Sequence, residues 1–146
     1  MKKVNYSIIK DIEEIDILKN REVFNYNYDQ EEINSLKKHF IMKDSLYILA
    51  RYKNEFAGFC SIDRNWWEDD YFFLRQILVN SNFRKMNIGS EVMSRCIKHA
   101  KDKKAIGVVT ETAFDNLPMQ RLCEKIGFKK WDNKEWKEGI TYKLVF

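Results

Sequence analysis

Proline occurs once in the 146 residues, at Pro118, and glycine only five times. No stretch rich in Pro, Gly or Ser therefore separates one part of the chain from another, and neither repeats nor low-complexity segments occur. The expectation is a single domain, residues 1–146, long enough to bury a substantial core. Cysteine is scarce as well. Cys60, Cys96 and Cys123 are odd in number and far apart, which argues against a disulfide framework or a metal pattern and for a reducing, cytoplasmic setting. Two histidines, His39 and His99, stand apart in sequence, so no metal is expected. His99 reads as a solvated residue at the edge of a helix stripe. Apolar runs fall short of a membrane span and the Met1-Lys2-Lys3 start lacks an apolar signal core, so no membrane partner is expected. The net charge of +4 favours anionic ligands slightly, but it is far from a nucleic-acid footprint, so no nucleic-acid partner is expected.

What the chain does have is pattern. Val4, Tyr6 and Ile8 alternate with polar residues as in a half-buried strand; Ile12, Ile15 and Leu18 then repeat every third residue as in a short helix. Asn25 to Asp29 reads as a loop, and Asp29 with Glu32 forms a capping-box pattern for a helix burying Ile33, Leu36, Phe40 and Ile41. Leu46–Tyr52 and Phe56–Ile62 are strands joined by a hairpin-length connection, and a long strand is expected over Tyr71–Val79. Ala105–Thr110 is apolar on both faces, as in a buried parallel strand. Asn116 and Pro118 open another helix, whose inner side is expected at Leu117, Leu122 and Ile126 and whose end falls at Gly127. Phe128–Trp131 and Ile140–Phe146 close the chain as strands. The order β-α-α-β-β-β-α-β-α-β-β implies an α/β (α+β) fold with a mixed sheet and helices on both faces.

The organising stretch runs from Gln76 to Ala100. Ile77-Leu78-Val79 ends a strand, Asn80-Ser81-Asn82 turns it, and Arg84 to Ser90 form a basic loop. Ile88, Val92, Cys96, Ile97 and Ala100 then mark an amphipathic helix. Free N–H groups at a helix start beside Arg84 and Lys85 make a phosphate site, and Gly89 lets a ligand approach the backbone closely. A basic surface turn before an ordinary helix accounts for this stretch equally well.

Two motifs together resemble the GCN5-related N-acetyltransferases. The first is Arg84-Lys85-Met86-Asn87-Ile88-Gly89 after Leu78-Val79-Asn80-Ser81-Asn82-Phe83; the second runs from Asn116 through Leu122-Cys123-Glu124-Lys125 to Gly127-Phe128. The resemblance implies a mostly antiparallel sheet of six to seven strands and acetyl-CoA as cosubstrate. It implies that Arg84, Lys85, Met86, Asn87, Ile88, Gly89 and Ser90 wrap the pyrophosphate. Main-chain groups of Leu78 and Val79 would pair with pantetheine, Leu78 N–H would serve the oxyanion, and Asn116 would contact the cofactor arm. Asn87 replaces a glycine of the family loop, and asparagine tolerates a left-handed backbone. Cys123 replaces a tyrosine that in many members protonates the departing thiolate; it is a candidate acid, or else a packed core thiol.

The resemblance also implies an acceptor amine, which must lose a proton before it attacks. Arg75 and Gln76 stand where many members carry a base and supply none. Glu111 is the candidate base, while Glu68-Asp69-Asp70 reads as a solvated hairpin. Trp66, Trp67, Trp131 and Trp136 flank the acceptor side, as a wall or as edge packing. The reading is transfer from acetyl-CoA to the primary amine of a small molecule by direct attack in a ternary complex. The alternatives are an acetyl-CoA-binding module with little catalysis, transfer to a protein N-terminus or lysine, and a nucleic-acid-directed protein. A homodimer stays open.

Overall fold

The computed structural model of the protein describes residues 3–19 and 28–146. Its strands are β1 (Asn5–Ile8), β2 (Leu46–Tyr52), β3 (Glu55–Asp63), β4 (Tyr71–Val79), β5 (Gly107–Ala113), β6 (Lys129–Trp131) and β7 (Gly139–Val145). Helices α1 (Gln30–Phe40), α2 (Ile88–Asp102) and α3 (Leu117–Ile126) lie between them, with 3-10 helices at Ile12–Leu18 and Ser81–Phe83. The element order matches the one expected from sequence. The three-residue repeat at Ile12, Ile15 and Leu18 proves to be a 3-10 helix, whose three residues per turn bring Ile15 and Leu18 onto one buried face. Asn25, Tyr26 and Asn27 of the predicted loop lie outside the described residues.

The sheet runs β1-β2-β3-β4-β5-β7-β6. All its pairings are antiparallel except β4 with β5. That one parallel pairing follows from the crossover through α2, which returns the chain to the same end of the sheet. Each sheet face buries its own cluster. Val92, Met93, Cys96 and Ile97 of α2, with Met119 and Cys123 of α3, pack on Ile62, Phe72, Leu74, Val108 and Tyr142. On the other face Ile33 and Leu36 of α1 join Ile15 and Leu18 over Tyr47, Leu49, Phe59 and Leu78.

Local signals fixed the element ends well. Asp29 accepts the Glu32 N–H at 2.9 Å, and Gly127 ends α3 at φ 115°, a left-handed position that glycine enters without a Cβ clash. Several side-chain expectations are corrected. Ile41 is 73% exposed, because α1 stops at Phe40 and His39 takes the inner position instead. Ile8 is exposed and Ile9 buried. Leu117 opens α3 on the solvent side, so Met119 and Cys123 form its inner face. His99 is not a solvated residue: its Nε2 lies 2.8 Å from the Asp44 carbonyl, and Phe72 meets the ring edge-on.

Candidate active site

The sheet opens at its one parallel seam. Pairing of β4 with β5 runs from Tyr71↔Gly107 to Leu74↔Thr110 and stops there. Beyond it β4 continues to Val79 beside β3, and β5 continues to Ala113 beside β7. A bulge lies at the point of divergence. Ser61 faces Gln76 while Ile62 faces Leu74, so Arg75 is the extra residue, and an extra residue bends and twists its strand. Arg75 is fixed by a fork: Nε and Nη2 donate to the two oxygens of Asp63 at 2.7 and 3.0 Å. Asp63 is fully buried and also accepts the Asn65 N–H. The guanidinium thus sits at the bulge as a held cation, a role that sequence reading missed when it dismissed Arg75 for not being a base.

Backbone directions follow from the register. Asn80 N–H donates to the Ala57 carbonyl at 2.8 Å. N–H groups alternate along a strand, so Leu78 N–H also turns towards β3, whereas Val79 and Ile77 present N–H and C=O to the open seam. Leu78 was the sequence candidate for the oxyanion donor; the register gives Val79 N–H the better direction. The turn that follows is pinned. Asn80 is buried, its amide donates to the Phe56 carbonyl at 2.7 Å, and its Oδ1 accepts Asn82 N–H.

From that turn the chain enters the basic loop. Arg84 and Lys85 expose their side chains and Met86 is half-buried. Lys85 and Asn87 both adopt left-handed backbone, at φ 67° and 64°. Asn87 takes this conformation, which asparagine tolerates better than most residues, as N-cap of α2. The first helical bond of α2 runs from Glu91 N–H to Asn87. N–H groups of Ile88, Gly89 and Ser90 precede it and have no intrahelical acceptor. Ile88 is buried against Gly58, which seats this helix start close upon β3. Asn116 sits across the seam at the start of α3, exposed, with its side chain accepting Met119 N–H at 3.3 Å. These groups form a cradle whose free N–H donors and cations suit a pyrophosphate.

Glu111 is the residue after the last β4–β5 pair. It is half-buried, and burial is the main reason its carboxyl is raised above the usual range; Glu138 adds to this and Arg75 opposes it. A cavity of about 400 Å³ opens there, lined by Glu111, Trp66, Trp67, Trp136, Asn133 and Glu135, together with Asn65. Three of the four flanking tryptophans thus meet at Glu111. Trp131 stands behind them, edge-on to Trp67. Glu68 is no free hairpin carboxylate. It accepts from Lys143 at 2.5 Å and from Trp66 Nε1 at 3.1 Å, and the Lys143 bond holds its carboxyl below the usual range. Asn133 and Glu135 carry no signal in the sequence, since nothing local links positions 65–67 with 133–136. Cys123 is fully buried in the core, with its thiol pushed up to about 12 by burial.

A model of the Acetyltransferase (GNAT) family matches residues 9–128. The chain belongs to this family. Acetyl transfer dependent on acetyl-CoA is accordingly its activity class. Solved structures agree in fold. A GNAT-family acetyltransferase from Staphylococcus aureus Mu50 superposes with TM-score 0.77 at 16% identity, covering 98% of this chain and 99% of that one. The ribosomal-protein-S18-alanine N-acetyltransferase of Escherichia coli gives 0.76 at 12% identity, with 98% and 94% covered. A putative streptothricin acetyltransferase from Bacillus anthracis, in complex with acetyl coenzyme A, gives 0.64 at 20% identity, covering 75% and 66%. No curated protein sequence matches this GNAT chain. Among the described residues no helix is long and apolar enough to cross a membrane.

Proposed function

We propose that this GNAT protein acetylates the primary amine of a small molecule by direct attack in a ternary complex. The observation that carries the reading is the position of Glu111. It stands one residue beyond the end of the β4–β5 ladder, and it lines a cavity of about 400 Å³, within the size range of small-molecule sites. The cofactor in this reading runs along the seam from the cradle at the start of α2 towards Glu111.

In this reading Arg84, Lys85 and the N–H groups of Ile88, Gly89 and Ser90 hold the pyrophosphate of acetyl-CoA, with the backbone of Lys85, Met86 and Asn87 curving around it. Main-chain groups of Ile77 and Val79 align the pantetheine arm like an added strand, and Asn116 borders it. Bound there, acetyl-CoA supplies the thioester. Glu111 attracts the ammonium of the acceptor and takes one proton, directly or through water, which leaves a neutral nucleophile. The new N–C bond forms as the C–S bond breaks. Val79 N–H faces the charge that develops on the carbonyl oxygen. The second amine proton and the proton that completes the free thiol pass through solvent, because Cys123 is buried and its thiol holds its proton tightly. All three cysteines are free and buried, which supports a reducing compartment such as the cytoplasm.

The test is release of free CoA across a panel of small amines, with the acetylated product identified by mass. Small amines should be turned over and an unstructured peptide N-terminus much more slowly. Turnover of the peptide alone would favour a protein acceptor, and binding of acetyl-CoA without turnover of anything would favour a binding module.

A further inference from the structure

The charges around the Glu111 cavity are unevenly used. Arg75 is paired with Asp63, though its charge also reaches Glu111, and Lys143 is paired with Glu68. Lys134 and Lys137 both turn to Asp132, at 3.6 and 3.2 Å. Among the described residues, Glu111, Glu135 and the neighbouring Glu138 have no cationic partner within salt-bridge distance. This negative cavity belongs to a chain whose net charge is +4.

Its walls are aromatic. Trp66 stacks on Phe73 with ring centroids 5.5 Å apart and planes 7° from parallel, and Trp67 meets Trp66 edge-on at 5.2 Å. Trp136 packs over Gly139, where an added Cβ would lie 2.6 Å from the indole. Asn133 is buried and ties its own turn, donating to Thr141 Oγ1 and accepting Glu135 N–H. Indole faces and carboxylates together are what an ammonium prefers when part of its water is removed.

Two lining carboxylates cannot usefully serve one ammonium. Both acting on the reacting amine would strengthen its hold on the proton that attack requires it to lose. We infer that the acceptor of this cavity is a small dication, with its reacting amine at Glu111 and a second ammonium, which keeps its proton, held by Glu135 and the indoles. This rests on the reading above that the cavity takes the acceptor. Glu138, beside Glu111, adds to the field that draws such a molecule in.

Three substrates of equal length separate the possibilities: 1,5-diaminopentane, n-pentylamine and 5-aminopentanoate. In CoA-release assays with saturating acetyl-CoA, the diamine should exceed the monoamine by at least tenfold in kcat/KM, and the amino acid should be poorest. Glu135→Gln should erase most of the diamine preference; among the described residues Glu135 makes no side-chain hydrogen bond or ion pair. Titrating the diamine without acetyl-CoA should change the tryptophan fluorescence, and n-pentylamine should need far higher concentration. Equal kcat/KM for diamine and monoamine, or a preference untouched in Glu135→Gln, would overturn the dication while leaving acetyl transfer to small amines standing. A fluorescence response to the diamine with no CoA release from any of the three would support the dication site and overturn the catalytic reading. Silence in both assays would remove both.

Discussion

Thr110 donates its hydroxyl to the carbonyl of Leu74 across 2.9 Å, at the last pair of the β4–β5 ladder. A side chain thus ties the two strands once more at their last pair, and they part from there. Thr110→Val keeps the shape and deletes the bond, which should cost about 0.5–1.5 kcal/mol in denaturant unfolding. Thr110→Ser should recover most of it. If the bond sets the seam, Thr110→Val should also weaken acetyl-CoA several-fold by calorimetry; equal affinity would show that the bulge at Arg75 sets the opening unaided.

Gly89 is suited to a separation of fold from ligand binding. A Cβ there would lie 3.4 Å from Leu122 and 3.5 Å from Val79, ordinary contact distances. Gly89→Ala should therefore keep or raise the melting temperature, since alanine favours a helix by up to about 1 kcal/mol over glycine. Its methyl group should nevertheless crowd a bound pyrophosphate and weaken acetyl-CoA at least tenfold. Arg84→Glu, on an exposed side chain, should do the same by repulsion. Wild-type affinity in both variants would take the pyrophosphate away from this loop.

For Glu111 the pH dependence has a definite sign. Burial raises its carboxyl in the folded chain, Glu138 adds to the rise, and Arg75 opposes it. The native state then binds the proton to higher pH than the unfolded chain does. This group consequently lowers stability as pH climbs from the ordinary carboxylate range through its raised value. Glu111→Gln removes that slope and should be no less stable at neutral pH. Its kcat/KM for amines should fall about 10²-fold, with the acid limb of the pH–rate profile displaced. An unmoved profile would assign proton acceptance to water.

Cys123 gives opposite orders of variants under its two roles. As a packed thiol it should tolerate alanine with kcat within a few-fold and a stability loss of about 0.5–3 kcal/mol. Tyrosine should then be worse, because a ring overfills a fully buried site. As a proton donor it should lose about 10²-fold or more on Cys123→Ala, and Cys123→Tyr should restore the rate. The burial of the thiol favours the first order.

Much of this was legible in the chain because it is encoded locally. The bounds of β4, Tyr71 to Val79, emerged from an apolar run stopped by turn residues, and the cap at Asp29 and the glycine at Gly127 mark their helices through bonds that span only a few positions. Asn87 was readable for the same reason, as a residue that accepts a left-handed backbone. What sequence hid depends on distant partners. His99 finds the Asp44 carbonyl 55 positions away, and Asn133 and Glu135 come to Trp66 only when the sheet forms. The bulge that singles out Arg75 is a matter of register between two strands, which neither strand states alone. Leu117 and Ile41 were misjudged because helix ends leave the apolar stripe wherever the first and last turns project past the sheet.

The short seam has a further consequence for how the molecule comes apart. Four residue pairs are all that join the β1–β4 leaf to the β5–β7 leaf along the sheet. Helix α2 lies against β2, β3, β4 and β5 together. Its Val92, Met93, Cys96 and Ile97 share one cluster with Ile62 and Leu74 on one leaf and Val108 and Tyr142 on the other. The helix is therefore a splint across the seam, and loosening its packing should let the two leaves melt in separate steps.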